Sequence, residues 1–259
     1  MAEIKSYLAG TPSWCHVSVP DLEAAKLFYG NLFGWTFENY GPELGDYHNC
    51  LLRGVPVAGL TPSMPAKDST HPPAAWTVFF DTKDTAAGCA AITASGGTLL
   101  SPAMDVAALG RMAIAADPTG AVFGLWQANQ HIGAKLINEP GAMTWHEMLS
   151  RDVATAVTFY QTVLGNPVGK MPMPGMDYYT IKAGDQMCAG IMAMPSHMPA
   201  AVPSYWSVYF AVADADAACA TIKSLGGKVM GEPFDTPFGR AGFAYDPWGA
   251  NFSFIQLRS

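Results

Sequence analysis

Charged residues are scarce in this sequence, and the basic ones are scattered. The 259 residues include 14 lysines and arginines against 21 aspartates and glutamates, a formal net charge of −7. Because nucleic-acid binding needs a clustered cationic face, no nucleic-acid partner is expected. No stretch approaches the roughly 18 apolar residues of a membrane span, and the first residues lack the apolar core of a secretory signal, so no membrane partner is expected either.

Cysteine is also rare, and the five cysteines have no zinc-ligand spacing. An odd number without a disulfide pattern favours a reducing compartment, and we expect a cytoplasmic protein. Cys89 and Cys219 occupy matching places in alanine-rich segments and are expected to be small, buried helix residues. The sequence also lacks a nucleophile elbow, a phosphate loop and a dinucleotide-binding glycine motif, which argues against the enzyme classes that use them.

An internal repeat dominates what is present. Half of the residues are apolar, and the length suits two domains that each bury a core. Equivalent residues recur in one order at a nearly constant offset: Trp14 and Trp145, Asp21 and Asp152, Phe28-Tyr29 and Phe159-Tyr160, Trp76 and Trp206, Gly110-Arg111 and Gly239-Arg240, and Asp117 and Asp246. The repeat predicts a domain over residues 1–127, a linker over 128–142 and a second domain over 143–259.

Each half alternates strand and helix patterns in the same way. In the first half a strand ends at Val19, Asp21 can cap a helix, and the helix pattern ends at Gly34. Two further strands are predicted around the turn Arg53-Gly54. A second cycle of strand, helix and short strands follows, so each half is expected to hold two βαβββ units. The predicted fold class is α+β, with four such units in two tandem domains.

Three motifs carry a family resemblance, namely residues 20–35 (PDLEAAKLFYGNLFGW), 116–126 (ADPTGAVFGLW) and 245–254 (YDPWGANFSF). Their order and repetition resemble the vicinal oxygen chelate superfamily of glyoxalases, bleomycin resistance proteins and dihydroxybiphenyl dioxygenases. The segment around the linker is similar to that of tandem actinobacterial members, which are often called glyoxalase-like or hydroxylase. The resemblance implies that each half curls into an open cup, an open barrel that receives a small carbonyl or aromatic metabolite.

The resemblance also implies a divalent ion in each cup, held by histidine and glutamate side chains. Carried over one by one, the ligand positions fall on Trp14 and Trp145, on Thr77 and Ser207, and on Gly124 and Ser253. The remaining ligand strand, at 57–60 and 187–191, contains no carboxylate or imidazole. The sequence therefore predicts no metal site and no cofactor, although a divalent metal is usual in the family.

His16 and Glu147 occupy equivalent positions in the two halves. Residues two apart on a strand face the same side, so each should share a cup with the neighbouring tryptophan. They are the candidate catalytic residues, acting in proton transfer or hydrogen bonding, and burial could raise the pKa of Glu147. The alternative is that both are structural polar groups. His146 should point the other way, to the surface or to an interface.

Aromatic side chains could line both cups or belong to the core. The expected ligand-binding residues are Trp14, Tyr47, Thr77, Phe79, Trp145, Tyr178, Ser207 and Tyr209, and Trp76 and Trp206 are further aromatic candidates. Arg111 and Arg240 could hold an anion, or they could fasten the Asp-Pro-x-Gly turns through Asp117 and Asp246, the role we favour. The methionine-rich segments around 171–176 and 192–198 could cover the second cup or be plain loops.

Two functions from different classes remain open. The first is an enzyme, a glyoxalase-like lyase, isomerase or hydroxylase-type protein in which Glu147 or His16 moves a proton in place of the metal. The second is a binding protein that sequesters a small hydrophobic metabolite or antibiotic without chemistry. In both cases the partner is a small molecule, and the chain is expected to be a monomer or a homodimer.

Overall fold

The computed structural model describes residues 3–63, 73–173 and 175–258. Each half of the chain contributes one large, open sheet and two helices, which confirms the predicted α+β fold. The first sheet has eight strands in the order β2-β3-β4-β1-β5-β8-β7-β6. Its elements are β1 (Pro12–Val19), α1 (Leu22–Phe33), β2 (Thr36–Asn39), a 3-10 helix (Pro42–Leu44), β3 (His48–Leu52), β4 (Val55–Pro62), β5 (Ala75–Asp81), α2 (Thr85–Ala94), β6 (Thr98–Val106), β7 (Gly110–Ala116) and β8 (Val122–Ala128).

The second half repeats this arrangement in a nine-stranded sheet. Its main strand order is β10-β11-β12-β9-β13-β17-β16-β14, and β15 pairs with β16. Its elements are β9 (Met143–Ser150), α3 (Val153–Leu164), β10 (Val168–Met173), β11 (Met176–Ala183), β12 (Gln186–Ala193), β13 (Tyr205–Ala211), α4 (Ala215–Ser224), β14 (Lys228–Val229), β15 (Phe234–Thr236), β16 (Gly239–Tyr245) and β17 (Asn251–Leu257).

The helices begin and end where local chemistry requires it. The Asp21 carboxylate accepts a hydrogen bond from the backbone N–H of Ala24 at 3.0 Å, which satisfies one free amide of the first turn of α1. The helix ends at Gly34, whose φ of 73° is left-handed and favours glycine. Asp152 and Gly165 flank α3 in the same way. Within the part of the chain that the structure describes, no helix combines the length and apolarity needed to cross a membrane.

Several elements differ from the sequence prediction. Strand β2 and the 3-10 helix fill a stretch to which no element was assigned, and β6, predicted as a short strand, spans nine residues. The methionine-rich segment 171–176 is not a loop, because Met171 to Met173 pair with β11 in a hairpin. Most of the predicted proline-rich link, residues 64–72, lies outside the described residues.

One continuous apolar core joins the two halves. Helix α1 of the first half packs against α4 of the second, and α2 packs against α3. The phenol of Tyr29 donates a hydrogen bond across this boundary to Oδ2 of Asp246 at 2.8 Å. The other oxygen of Asp246 accepts backbone N–H bonds from Trp248 and Ala250 in the Asp-Pro-x-Gly turn. The two repeated motifs therefore meet between the halves.

Trp76 and Trp206 lie in this core and not in the cups. The indole of Trp76 donates to the Tyr29 hydroxyl at 3.2 Å, and that of Trp206 donates to the Tyr160 hydroxyl at 2.8 Å. Burial, and next the nearby charge of Asp117, raise the pKa of Tyr160 well above its ordinary value. Their place in the core follows from strand alternation, since both point away from the face that carries the cup residues.

Both arginines have structural partners, but not the predicted ones. Arg111 donates to Asp105 at 2.9 Å, and Arg240 donates two hydrogen bonds of 2.9 Å to Asp216. The aspartates of the Asp-Pro-x-Gly turns are not their partners. Asp117 accepts backbone N–H bonds from its own turn on one oxygen, and Asp246 accepts them from its turn and a further hydrogen bond from Tyr29. The predicted pairing, and with it the predicted fastening of these turns, was wrong.

Candidate functional site

The concave face of the first sheet forms a cavity of about 510 Å³, here called the N-terminal cup. Strands β1 and β5 run antiparallel at its centre, with Trp14 opposite Phe79 and His16 opposite Thr77. Because alternate residues share a face, Trp14, His16 and Phe79 line the cavity together with Tyr47. Four of the predicted ligand-binding or catalytic residues therefore meet here, while Thr77 stays beside His16 outside the cavity wall.

Trp14 and Tyr47 form a fixed polar pair in this wall. The indole Nε1 of Trp14 donates a hydrogen bond to the Tyr47 hydroxyl at 2.7 Å. Tyr47 reaches across strand β4 because Gly59 has no side chain, and a Cβ there would overlap the hydroxyl. No described residue accepts the phenolic proton of Tyr47. Burial raises the pKa of this phenol above its ordinary value, so the proton remains on the oxygen and can be donated to a ligand.

His16 is a neutral hydrogen-bonding group in the cavity wall. Its ring centroid lies 4.9 Å from that of Phe79 and 5.9 Å from that of Tyr47. Desolvation lowers its pKa to about 4. The imidazole makes no hydrogen bond to another described residue, so its one donor and its one acceptor nitrogen are both available.

Further polar residues of the cup were missed from the sequence, and Asn49 and His131 are the two with a direct bearing on ligand binding. Asn49 is 1% exposed; its Nδ2 donates to the Tyr40 hydroxyl at 2.8 Å, and its Oδ1 has no partner among the described residues. Whichever way the amide is oriented, one of its two terminal atoms lacks a partner. Asn49 lies two residues after Tyr47 on β3, so strand alternation could have identified it.

His131 enters the cup from the linker. Its ring lies 4.5 Å from the Trp14 indole, edge to face, and its carbonyl accepts a hydrogen bond from Trp126 Nε1 at 2.8 Å. Burial and the nearby Lys135 lower its pKa to about 4. A linker residue has no periodicity, so no signal in the sequence placed it here. The linker is therefore part of the cavity wall and not only a connection.

Glu147 lies on the concave face of the second sheet, here called the C-terminal cup. Tyr178 and Tyr209 donate to its two oxygens at 2.8 and 2.9 Å, respectively. Trp145 Nε1 donates to the Tyr178 hydroxyl at 2.9 Å, and Gly190 leaves the space that this tyrosine crosses. Burial raises the pKa of Glu147, and the two tyrosine hydrogen bonds oppose that shift.

The remaining predicted residue of this cup, Ser207, is opposite Glu147 in the β9–β13 register. Its hydroxyl is 2.9 Å from that of Ser253. His146 points to the opposite face, as expected from strand alternation. It is buried, however, and does not lie at the surface. Its Nε2 has no hydrogen-bond partner among the described residues. Desolvation lowers its pKa to about 3.

The residues at the family's ligand positions do not fit a divalent ion. Trp14 is engaged with Tyr47, and the Phe79 ring fills the space into which any side chain at Gly124 would project. Ser207 and Ser253 bond to each other and supply neither imidazole nor carboxylate. Across the described parts of both halves, no three His, Cys, Asp or Glu residues are grouped so that they could hold a metal. The absence of a metal cofactor stays a prediction, now with a geometric reason.

Comparisons with known proteins agree with this architecture. The model of the Glyoxalase/Bleomycin resistance protein/Dioxygenase superfamily matches residues 11–125 and again 143–254. CFP32 of Mycobacterium tuberculosis, described as a candidate glyoxylase, is 41% identical over 99% of this chain and 98% of its own length. The anthracycline biosynthesis protein DnrV of Streptomyces peucetius is 35% identical over 97% of this chain and 95% of its own.

Solved structures show the same fold at low sequence identity. The 2,3-dioxygenase LapB from Pseudomonas sp. KL28 superposes with a TM-score of 0.66 at 15% identity, covering 98% of this chain and 94% of that one. The Mn(II)-bound glyoxalase from Novosphingobium aromaticivorans superposes with a TM-score of 0.64 at 16% identity, covering 97% of this chain and 83% of that one. The family model matches each half in turn, and both relatives align with nearly the whole chain. This chain therefore belongs to the glyoxalase/bleomycin resistance protein/dioxygenase superfamily.

Proposed function

We propose that this protein binds a small, flat, carbonyl-bearing or phenolic aromatic metabolite in the N-terminal cup, without a divalent metal. The observation that carries the proposal is a cavity of about 510 Å³ whose wall presents unpartnered polar atoms. They are the His16 imidazole, the phenolic proton of Tyr47 and one end of the Asn49 amide. The free Asn49 atom is buried, and buried polar atoms without partners are uncommon in folded proteins. The His16 and Tyr47 side chains are half-buried in the cavity wall, where a ligand can supply the missing partners.

The size and the walls of the cup favour an aromatic ligand. Its volume lies within the range of about 300–1,000 Å³ that is typical of small-molecule sites. Trp14 and Phe79 present ring faces and edges that can stack on a flat molecule. His16 and His131 are neutral above about pH 5, because the pKa of each is lowered to about 4. The cup therefore offers no fixed cation for an anionic ligand.

The names of relatives point to the same chemical class. DnrV is an anthracycline biosynthesis protein, and anthracyclines are polycyclic aromatic compounds that carry both carbonyl and phenol groups. A molecule of this kind would be stacked by Trp14 and Phe79, while its oxygens complete the hydrogen bonds of His16 and Asn49. We infer that the ligand of this chain belongs to this class or to a smaller relative of it.

A fluorescence titration tests the proposal. Anthraflavic acid is a suitable probe, because its hydroxyls lie away from its carbonyls and it does not chelate metals. We expect saturable quenching of tryptophan fluorescence that EDTA leaves unchanged, and a loss of about tenfold in affinity in each of the variants His16→Ala and Asn49→Ala, since each removes about one hydrogen bond to the ligand. Binding that disappears with EDTA, or that neither substitution weakens, contradicts the proposal.

A second function, proton transfer on a carbonyl compound, is favoured by one specific arrangement. His16, with both nitrogens free, lies beside the phenolic proton of Tyr47, and CFP32 is described as a candidate glyoxylase. Such a pair could exchange a proton with a bound carbonyl compound. Turnover of methylglyoxal with glutathione that survives EDTA and is lost in His16→Gln would establish this function. Absence of turnover while anthraflavic acid binds would leave the protein as a binding module.

A further inference from the structure

The C-terminal cup contains a buried acid without a positive partner. Glu147 is 8% exposed, and within the described chain no lysine or arginine forms an ion pair with it. Its hydrogen-bond donors are the uncharged phenols of Tyr178 and Tyr209. An ionised carboxylate that is taken out of water normally gains a cation or takes up a proton. The ordinary counter-charge of this group is therefore missing from the described structure.

Aromatic rings surround this acid on the concave face. Tyr209, Ser253 and Phe243 lie side by side on β13, β17 and β16, as the strand register shows. The Tyr209 and Phe243 ring centroids are 6.4 Å apart, and those of Phe243 and Phe234 are 5.4 Å apart. Phe234 and Phe243 remain 41% and 39% exposed, so their rings are accessible from solvent.

From this geometry we propose that the C-terminal cup is a binding site for an organic cation, such as a protonated amine. Glu147 is its counter-ion, and the rings of Tyr209, Phe243 and Trp145 form its walls. Aromatic faces attract ammonium groups through their quadrupoles, and they do so more strongly where water is excluded. The charge of the acid selects a cation over a neutral or anionic aromatic compound.

The carboxylate retains room for a further donor. An ionised carboxylate has about four lone-pair positions, and the two tyrosines occupy one on each oxygen. No other described residue donates to the remaining positions, and the proposed ammonium group would occupy one of them. Burial raises the pKa of Glu147, and a bound cation would oppose this shift and hold the carboxyl ionised.

The first half does not repeat this site. His16 stands at the position of Glu147, and Phe79 stands at the position of Tyr209 and lacks its hydroxyl. The duplicated cups thus differ at this position, which holds a neutral imidazole in the N-terminal cup and an acid in the C-terminal cup. The cation site is independent of the function proposed for the N-terminal cup, and either proposal can fail without the other.

Calorimetric titration with two probes of similar shape tests the cation site. Benzylammonium carries the charge, and benzyl alcohol does not. We expect benzylammonium to bind at least tenfold more tightly than benzyl alcohol, and Glu147→Gln to abolish this preference. The matched control Glu232→Gln removes the same charge from an exposed glutamate that pairs with Lys223 and should leave the preference intact. Phe243→Leu, at an exposed position that should tolerate the change, should weaken benzylammonium binding about threefold.

Three results overturn the proposal. Equal affinities for the two probes would show a merely apolar surface. Unchanged benzylammonium binding in Glu147→Gln, with a melting temperature that shows the variant is folded, would show that the acid is structural. No measurable binding of benzylammonium to the folded protein would show that this face takes no organic cation.

Discussion

The Tyr29 hydroxyl offers the sharpest test of how the two halves hold together. In Tyr29→Phe the ring remains, but two buried groups lose their partner: Oδ2 of Asp246 at 2.8 Å and Nε1 of Trp76 at 3.2 Å. Asp246 is 2% exposed, so water cannot easily replace the hydroxyl. A hydrogen bond to a charged group contributes about 1.5–3 kcal/mol, and an unpaired neutral donor costs about 1 kcal/mol more.

We therefore expect Tyr29→Phe to lower the free energy of unfolding by about 3 kcal/mol. For a chain of this size that corresponds to a fall in melting temperature of roughly 6–12 °C. Urea unfolding followed by circular dichroism measures the free energy directly. Tyr40→Phe is a control for the loss of a single neutral hydrogen bond, because this hydroxyl accepts only from Asn49. Its loss should cost about 1 kcal/mol and no charged partner is involved.

The pH dependence of this cost has a definite sign. Burial raises the pKa of Asp246 in the folded protein, and removal of the Tyr29 hydrogen bond should raise it further. The cost of the substitution should therefore be largest at neutral pH and shrink in acid, as the carboxyl takes up its proton. A loss below about 0.5 kcal/mol at neutral pH, or a cost that grows in acid, would refute the inference that this contact joins the halves.

Three further predictions concern the cups and the core. Gly59→Ala should displace Tyr47 from Trp14 and weaken anthraflavic acid binding about tenfold in the fluorescence titration. The control Gly169→Ala should leave that binding unchanged, because a Cβ at this position meets no atom within 4 Å. Burial lowers the pKa of His146 to about 3 from 6.5, so the free energy of unfolding should fall as the pH drops below 6.5, by about 2 kcal/mol at pH 5. His146→Cys introduces the residue found at the equivalent Cys15 and should reduce this loss of stability in acid, as measured by urea unfolding. An unchanged dependence of stability on pH would contradict the prediction. Because the core is continuous, circular dichroism and tryptophan fluorescence should report one coincident unfolding transition, and two separated transitions would show that the halves fold independently.

Repetition made the architecture predictable. Motifs recurring in order at a nearly constant offset predict two similar halves, and strand alternation predicts that Trp14 and His16 share one face, where the structure has them. Alternation also placed Glu147 in the second cup. These inferences succeeded because they depend on local backbone periodicity, which does not change when the chain packs.

Contacts between distant segments could not be predicted in the same way. Arg111 was expected to pair with Asp117 because both lie near one motif, yet the Asp-Pro-x-Gly turn occupies one oxygen of that carboxylate with its own amides. Trp76 was a candidate for the cup, but it packs on Tyr29 in the core. Strand alternation puts Trp76 on the face opposite Phe79, but its partner Tyr29 lies on α1, and no single-segment pattern encodes that contact.

The residues missed at the site have the same explanation. His131 reaches the N-terminal cup because backbone hydrogen bonds join the linker to the rim of the first sheet, including His131 N–H to the carbonyl of Leu109 at 3.0 Å. Because the linker sequence has no helix or strand periodicity, it does not predict this contact. His146 was expected at the surface or at an interface, and only the packing behind the sheet shows that its side chain is buried.

A crystal structure of the protein grown with anthraflavic acid would test the central claim, a metal-free aromatic site in the N-terminal cup, most directly. We predict the probe between Trp14 and Phe79, with one of its oxygens within hydrogen-bonding distance of His16 or Asn49, and with no ion in contact with either. An ion held between the strands of this cup, or the probe bound only elsewhere on the molecule, would contradict the account.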